Sequence, residues 1–265
     1  MPGTSPHPRT GALPALRGWL AGWWHTLHLG AQLLVLALSP SSHGPAQRQA
    51  LVQQLWLASG PMLPGFTVVS ALVSLVVIHI VVVTALSYGL SQYALEMVVR
   101  VLVLELIPLA AALFAALRST LPMAADLAAL RARGGFEALA RQGRDPLAHA
   151  VLPRVLAGLF AVLLLAAVSC AVTLVLAYLS VHGFTLGGFE RYTRTVGRVF
   201  SPAVSLVFAL KVGLFAGAVS LFPMAAVLLG PPRPRGRTSA ELQGLVRMFT
   251  VILLIEAAAL VGNYY

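Results

Sequence analysis

Five long apolar runs are the feature of this sequence that most limits how the chain can fold. A helix needs about 20 predominantly apolar residues to cross the hydrocarbon core of a bilayer, and the runs are of that order. The chain is 58% hydrophobic and only 10% charged, whereas soluble domains carry about 25% charged residues. We therefore predict an all-α integral membrane protein whose transmembrane helices cover residues 62–87, 94–117, 155–181, 203–229 and 245–262.

Arginine is distributed unevenly between the loops. The formal net charge is +10, from 17 arginines and a single lysine, and most of the arginines lie between spans two and three or between spans four and five. Because basic loops are retained in the cytoplasm, this pattern predicts a cytoplasmic N-terminus, an outward-facing C-terminus and no nucleic-acid partner. Arg191, Arg194 and Arg198 fall on the outer side and depart from the rule; their helical spacing predicts an amphipathic helix there.

A further apolar run, residues 18–39, divides into two faces when it is drawn as a helix. The polar face carries Arg17, His25, His28 and Gln32, and the opposite face carries Leu16, Trp19, Leu20, Trp23 and Leu27. This division is typical of a helix that lies in the membrane interface. We therefore divide the chain into an N-terminal segment with an interfacial helix, residues 1–45, and a transmembrane domain, residues 46–265. A sixth span is the alternative, because the polar face ends before residue 33.

Glu105 and Pro108 interrupt the second span. A charged side chain at membrane depth costs about 2.5–3.5 kcal/mol on insertion scales unless it is paired or faces water. Pro108 has no amide hydrogen, and its ring clashes with the carbonyl group of Leu104. We therefore expect a distorted backbone and a freed hydrogen-bond acceptor beside the carboxylate.

Other charged residues within the spans include Glu96, Arg100, Lys211 and Glu256. Glu96 and Arg100 are one helical turn apart and can pair. Lys211 and Glu256, in spans four and five, are the expected distant partners of Glu105 and Arg100. Two interpretations stay open: the charges line a substrate path, or they form a static ion network that fixes helix packing.

The segment between spans two and three contains a short predicted helix. Glycines on both sides bound the helical stretch FEALARQ, residues 136–142, and Asp145 begins the next element. Phe136, Leu139 and Ala140 share a face that must be covered, which predicts a docking element for a cytoplasmic partner. The alternative is a helix that rests on the membrane surface of its own chain.

Several short motifs occur in a fixed order along this part of the chain. They are Glu105-Leu106-Ile107-Pro108, Arg118, Ala125-Asp126, Asp145-Pro146-Leu147 and the stretch LPRVLAG at 152–158. In order and spacing they resemble the core of the MlaE-type (YrbE-type) permeases, and the similarity extends more faintly over residues 49–262, including Lys211. The resemblance implies an N-terminal interfacial helix followed by five transmembrane helices, with a short cytoplasmic coupling helix between spans two and three.

Permeases of this family are the membrane subunits of ABC transporters associated with MCE proteins. The resemblance therefore implies a homodimer in the bacterial inner membrane, bound to cytoplasmic ABC ATPase subunits and to a lipid-binding MCE-domain protein on the periplasmic side. The implied function is movement of lipids, phospholipids in the first instance, between the inner and outer membranes. ATP and Mg²⁺ would be bound by the partner ATPase, and no cofactor by this chain.

The resemblance also implies roles for individual residues. Glu105 and Lys211 would belong to a polar patch near the lipid-binding cavity, and from the residues themselves we add Arg100, Glu256 and Pro108 to this substrate path. The expected ATPase-coupling residues are Phe136, Glu137, Leu139, Ala140 and Asp145.

The chain departs from the family pattern at several positions. Leu104 stands where the family has an arginine, and Ile107 stands where it has a glycine. Arg100, about one turn earlier, is our candidate for the missing cation. Gly134 and Ala140 stand where carboxylates of the coupling helix are expected, which bears on the choice of ATPase partner.

Common catalytic motifs are missing from the sequence. It contains no H-E-x-x-H, no G-x-S-x-G and no Walker A glycine loop, so we expect a non-catalytic subunit whose energy comes from a partner or a gradient. Two alternatives to the permease interpretation stay open: an ion-coupled carrier that uses Glu105 and Glu256, and a non-catalytic membrane assembly subunit.

Overall fold

The computed structural model describes residues 12–39, 45–230 and 237–264, and every regular element in these ranges is helical. The helices are α1 (Ala12–Leu38), α2 (Pro45–Ser59), α3 (Leu63–Ser87), α4 (Ser91–Val98), α5 (Ile107–Ala115), α6 (Leu121–Ala132), α7 (Gly135–Arg141), α8 (Leu152–His182), α9 (Phe189–Val199), α10 (Pro202–Leu229) and α11 (Arg237–Tyr264). Three π-helical stretches, Val99–Leu106, Ala116–Thr120 and Leu147–Val151, and a 3₁₀ turn, Leu186–Gly188, lie between some of them.

Five helical stretches in the described ranges are long and apolar enough to cross a membrane. They are Leu51–Ser87, Tyr93–Ala132, Leu147–His182, Pro202–Leu229 and Leu242–Gly262. They correspond to the five predicted spans and confirm the all-α membrane fold. The second stretch continues to Ala132, well past the predicted end at residue 117, because the chain stays helical through two prolines. The helix α1 is not one of the five.

Each π-helical stretch leads directly into an α-helix that carries a proline in its first turn. The prolines are Pro108, Pro122 and Pro153. A proline inside a helix has no amide hydrogen, and its ring clashes with the carbonyl group four residues earlier. The wider turn of a π-helix relieves this clash, so the chain remains helical past each proline.

The helix α1 packs along α10. Leu29 and Leu33 are buried in a core cluster with Met224 of α10, and the Trp23 ring meets the Phe222 ring edge-on, with centroids 5.5 Å apart. The face of α1 that points away from the bundle exposes Trp24, Leu27, Leu34, Val35 and Leu38, as in helices that contact a membrane. Four of the residues from which the two faces were predicted have side chains outside the described set: Leu16, Arg17, Trp19 and Leu20.

Arg131 joins α6 to the C-terminal end of α10. From the last turn of α6, its Nη1 atom donates to the carbonyl oxygens of Val227, Leu228 and Gly230 at 2.6, 3.0 and 3.1 Å, where α10 ends. The α6–α7 connection and the end of α10 therefore lie at one end of the bundle. The predicted amphipathic helix is α9, which exposes Arg191, Arg194 and Arg198 and packs near the start of α4 at the other end.

Candidate functional site

Three charged side chains from three separate helical segments meet inside the bundle. Lys211 lies in α10, Glu105 in the π-helical stretch before α5, and Glu256 in α11. The Lys211 Nζ atom forms an ion pair with Glu105 Oε2 and a second one with Glu256 Oε2, the latter at 2.9 Å. The structure thus brings together three of the charged residues that the sequence singles out. We call Glu105, Lys211 and Glu256 the charge cluster.

Lys211 also binds the backbone next to Pro108. Its Nζ atom donates to the carbonyl oxygen of Leu104 at 3.1 Å, and Leu104 lies four residues before Pro108. This carbonyl is the acceptor that the proline is expected to free. The two carboxylates and the carbonyl together match the three N–H donors of an ammonium group. Pro108 and Lys211 lie in different helices, and the carbonyl group that the proline frees is the one that the lysine binds.

The members of the charge cluster differ in their exposure. The side chain of Lys211 is 1% exposed, whereas those of Glu105 and Glu256 are 12% and 15% exposed. The Phe215 ring adds a cation–π contact to the lysine, with its centroid 5.8 Å from Nζ. When all three groups are ionised the cluster carries one excess negative charge. Its two carboxylates reach the surface of the single chain, and its lysine does not.

Arg100 pairs with Glu96, one turn earlier in the same span. The distance from Arg100 Nε to Glu96 Oε1 is 3.0 Å, and the two side chains are 31% and 38% exposed. The cation that meets Glu105 is Lys211, so this geometry does not support Arg100 as the replacement for the arginine expected at position 104. Leu104 itself is buried in an apolar cluster, where an arginine would have to lose its hydration.

The helix α7 forms where the short coupling helix was predicted. Gly134 precedes it with φ +74°, a left-handed conformation that favours glycine. Phe136 and Leu139 are half-buried and pack against a core cluster of the same chain, so the face predicted to dock a partner is covered from within. For these two residues the structure supports the alternative, a helix resting on its own membrane domain. The exposed residues of α7 include Glu137, Ala138 and Ala140.

Asp145 makes a local structural contact. Its Oδ1 atom accepts a hydrogen bond from the backbone N–H of Leu147 at 2.9 Å, and its carbonyl oxygen accepts one from the N–H of His149 at 3.0 Å. The carboxylate thus caps the first turn of the helical stretch that leads into α8. Capping by itself accounts for an aspartate at this position, and the predicted role in coupling stays a prediction.

The charge cluster and α7 fall within one region of family similarity. A family model described as Permease MlaE matches residues 51–261, which is most of the chain. The chain belongs to the MlaE permease family. A search of curated proteins finds no match. In this MlaE permease the matched region begins after α1, so the helix that covers α10 lies outside it.

Sequence reasoning missed one strong contact of this MlaE permease, the cap that Arg131 places on α10. In the sequence Arg131 is one of several loop arginines, and its partners at Val227 and Leu228 lie 96 and 97 positions away. No local pattern signals a contact over that separation.

No group of three or more His, Cys, Asp or Glu side chains within 12–39, 45–230 and 237–264 is placed to hold a metal ion.

Proposed function

We propose that this chain is the permease subunit of an ABC transporter that moves lipids, phospholipids in the first instance, between the inner and outer membranes. The observation that carries the proposal is the match to the MlaE permease family over residues 51–261. The sequence has no Walker A loop, so ATP hydrolysis is assigned to separate cytoplasmic ATPase subunits. A homodimer of this chain and a periplasmic MCE-domain protein complete the proposed assembly.

Purification of the tagged chain from its native membrane tests the proposal as a whole. We expect an ABC ATPase, an MCE-domain protein and bound phospholipid to copurify with it, as identified by mass spectrometry. A chain that purifies with neither an ATPase nor lipid would overturn the proposal. Transfer of labelled phospholipid between two membrane populations, dependent on ATP, is the functional measurement that completes the test.

The charge cluster is proposed as part of the polar lining of the lipid path. Its two carboxylates are partly exposed, whereas the side chain of Lys211 is buried. A lipid headgroup can therefore approach the carboxylates without displacing the lysine. We expect Glu105→Leu to impair lipid transfer more than it lowers the unfolding temperature in detergent. Equal loss of transfer and stability would instead favour the static ion network.

The helix α7 is proposed as the ATPase-facing element, through its exposed face. Glu137 and Ala140 belong to this face, and α7 lies at the arginine-rich end of the bundle, which the positive-inside rule assigns to the cytoplasm. A substitution at Phe136 or Leu139 would disturb the chain's own core. A substitution at Ala140 changes only the outer surface, so it is the better probe.

The test of coupling compares Ala140→Lys with Ala132→Lys. Both alanines are exposed, and Ala132 ends the neighbouring helix α6, so the chemical change is the same at two nearby sites. A lysine at position 140 has the charge opposite to that of the carboxylate expected there. We expect Ala140→Lys to reduce the ATPase that copurifies severalfold and Ala132→Lys to leave it unchanged, with both variants inserted at wild-type levels. Undiminished ATPase association in Ala140→Lys would remove this face of α7 from the interface.

A second candidate function is an ion-coupled carrier. It is favoured by the excess carboxylate of the charge cluster, in which two glutamates share one lysine, because intramembrane carboxylates commonly mark proton and cation pathways. Proteoliposomes that contain this chain alone distinguish the two functions. Transport driven by a proton gradient and abolished by Glu256→Gln would support the carrier, and transport that requires ATP and the ATPase would support the permease.

A further inference from the structure

A cavity separate from the charge cluster lies between α1, α10 and α11. Its volume is about 370 Å³, within the range of about 300–1,000 Å³ typical of small-molecule sites. Its polar lining comes from His25 and Thr26 of α1 and from Gln243 and Arg247 of α11, and α10 contributes apolar groups such as Phe222. The cavity is therefore polar on two sides and apolar on the third.

Arg247 is the arginine among the described residues of this lining. Its Nε atom is buried and has no hydrogen-bond acceptor in the described part of the chain. A buried donor of a charged group that lacks an acceptor is costly, which points to an acceptor supplied from outside the chain. None of the described lining residues carries a carboxylate, so the cavity has positive charge and suits an anion.

Gly22 makes room for the guanidinium group. A Cβ atom built at Gly22 would overlap with the side chain of Arg247, so the close approach of this arginine to α1 requires glycine. The neighbouring Thr26 hydroxyl donates to the Gly22 carbonyl oxygen at 2.8 Å, within α1. Arg247 is thus held between α1 and α11 at the wall of the cavity.

An apolar cavity adjoins the polar one. Its volume is about 190 Å³, and the two cavities share Ala226 of α10. Its lining includes Leu121, Pro223 and Leu245. A polar cavity with a cation beside an apolar cavity is the arrangement that an amphiphile requires. Both lie near the C-terminal end of α10, at the end of the bundle where Arg131 joins α6 to α10.

We propose that Arg247 and Gln243 bind the phosphate group of an anionic phospholipid from the leaflet at the α6–α7 end of the bundle. The guanidinium group donates charge-assisted hydrogen bonds to the phosphate, the Gln243 amide supplies a neutral donor, and an acyl chain enters the apolar cavity. The bound lipid joins α1 to α11. This site is distinct from the charge cluster, and its existence does not depend on transport.

The test measures phosphatidylglycerol binding to the full chain by native mass spectrometry from detergent micelles. We expect Arg247→Gln to weaken binding about tenfold through loss of a charge-assisted hydrogen bond, and Gly22→Ala to weaken it because the methyl group displaces the guanidinium. The matched controls are Arg133→Gln, an exposed arginine at the end of α6, and Gly65→Ala, where an added Cβ meets nothing within 4 Å. Both controls should bind as the wild type does.

Each outcome of this comparison decides the proposal. Loss confined to Arg247→Gln and Gly22→Ala supports it; wild-type binding in both, or equal loss in all four variants, overturns it. If Arg247→Gln does not fold, Gly22→Ala decides the proposal, and wild-type binding in that folded variant overturns it.

Inorganic phosphate separates a lipid headgroup from a free anion. It is titrated into micelles that lack phosphatidylglycerol, again with the wild type and the Arg247 variant. We expect phosphate to bind much more weakly than phosphatidylglycerol, because it gains nothing from the apolar cavity. Phosphate that binds as tightly as the lipid, with a loss in Arg247→Gln, would overturn the assignment to a phospholipid.

Discussion

Lys211 connects three separate helical segments of the membrane domain. Its ammonium group binds two carboxylates and the carbonyl oxygen next to Pro108, and its side chain is almost completely buried. A buried ion pair that loses one partner leaves an uncompensated charge, which typically costs about 3–5 kcal/mol. The lysine therefore stabilises the meeting of α10, α11 and the π-helical stretch before α5, whatever role the carboxylates have in transport.

Replacement of this lysine gives a direct test. Lys211→Met keeps most of the side-chain volume but leaves two carboxylates facing each other, so we expect a loss of about 3–5 kcal/mol in the free energy of unfolding. Addition of Glu105→Gln and Glu256→Gln to the same chain should recover much of the loss. Equilibrium unfolding in mixed micelles measures both effects. A single Lys211→Met variant as stable as the wild type would contradict the structural role.

Tyr192 attaches α9 to the membrane domain. Its hydroxyl donates to the carbonyl oxygen of Leu174 at 2.7 Å, and burial raises the pKa of this phenol to about 12. We expect Tyr192→Phe to lower the free energy of unfolding by about 1 kcal/mol, the net value of one hydrogen bond.

The pH dependence of this effect follows from the direction of the shift. Because the folded state holds the phenolic proton more tightly, its contribution is complete below the ordinary tyrosine pKa of about 10 and is lost as the pH rises through about 12. Thermal unfolding of the wild type and of Tyr192→Phe at increasing pH measures this difference. An alkaline loss of the same size in both proteins would show that Tyr192 is not its source.

The helices α8 and α10 cross at a short distance. Small residues let membrane helices approach one another, and Gly158 of α8 is such a residue. A Cβ atom at this position would lie 2.7 Å from Ser220 Oγ of α10 and 2.9 Å from Thr120 Cγ2. The crossing thus brings α8, α10 and the second π-helical stretch together at one glycine.

A pair of alanine substitutions tests the importance of this crossing. Gly158→Ala is expected to destabilise the protein by about 1–3 kcal/mol, because the extra methyl group must displace well-packed neighbours. The control is Gly213→Ala in α10, where an added Cβ meets nothing within 4 Å; it should be neutral or stabilising by about 0.5–1 kcal/mol, since alanine favours the helix. Unfolding in detergent measures both, and equal effects at the two sites would argue against a tight crossing.

The complete bundle has two different ends. The connections at one end carry the arginines around α6 and α7, and the other end carries α9. Five spans place the two ends of the transmembrane domain on opposite sides of the membrane, with the arginine-rich end proposed to be cytoplasmic. The alternative of a sixth span through α1 would place both termini of the chain on the same side.

Reporter fusions distinguish these two topologies. With five spans, a reporter active only in the periplasm should be active when fused after Tyr265 and inactive when fused before Met1. Activity at both ends or at neither end would indicate six spans and contradict an interfacial α1. A cytoplasmic reporter at the same two positions serves as the control, because it should give the opposite pattern.

Much of the fold could be predicted because it depends on local properties of the sequence. The lengths of the apolar runs determined the number of spans, and the glycines around α7 determined that a short helix lies between spans two and three. Pro108 likewise determined that the carbonyl of Leu104 would need a new donor.

Only the tertiary structure decided which residue supplies that donor and which faces are covered. Lys211 meets Glu105 and Glu256, while Arg100 stays with Glu96, and Phe136 and Leu139 turn toward their own chain. The physical reason is that these contacts depend on the rotation of each helix about its axis. That rotation is set by the sum of many weak packing contacts between distant segments, and no stretch of sequence contains it alone.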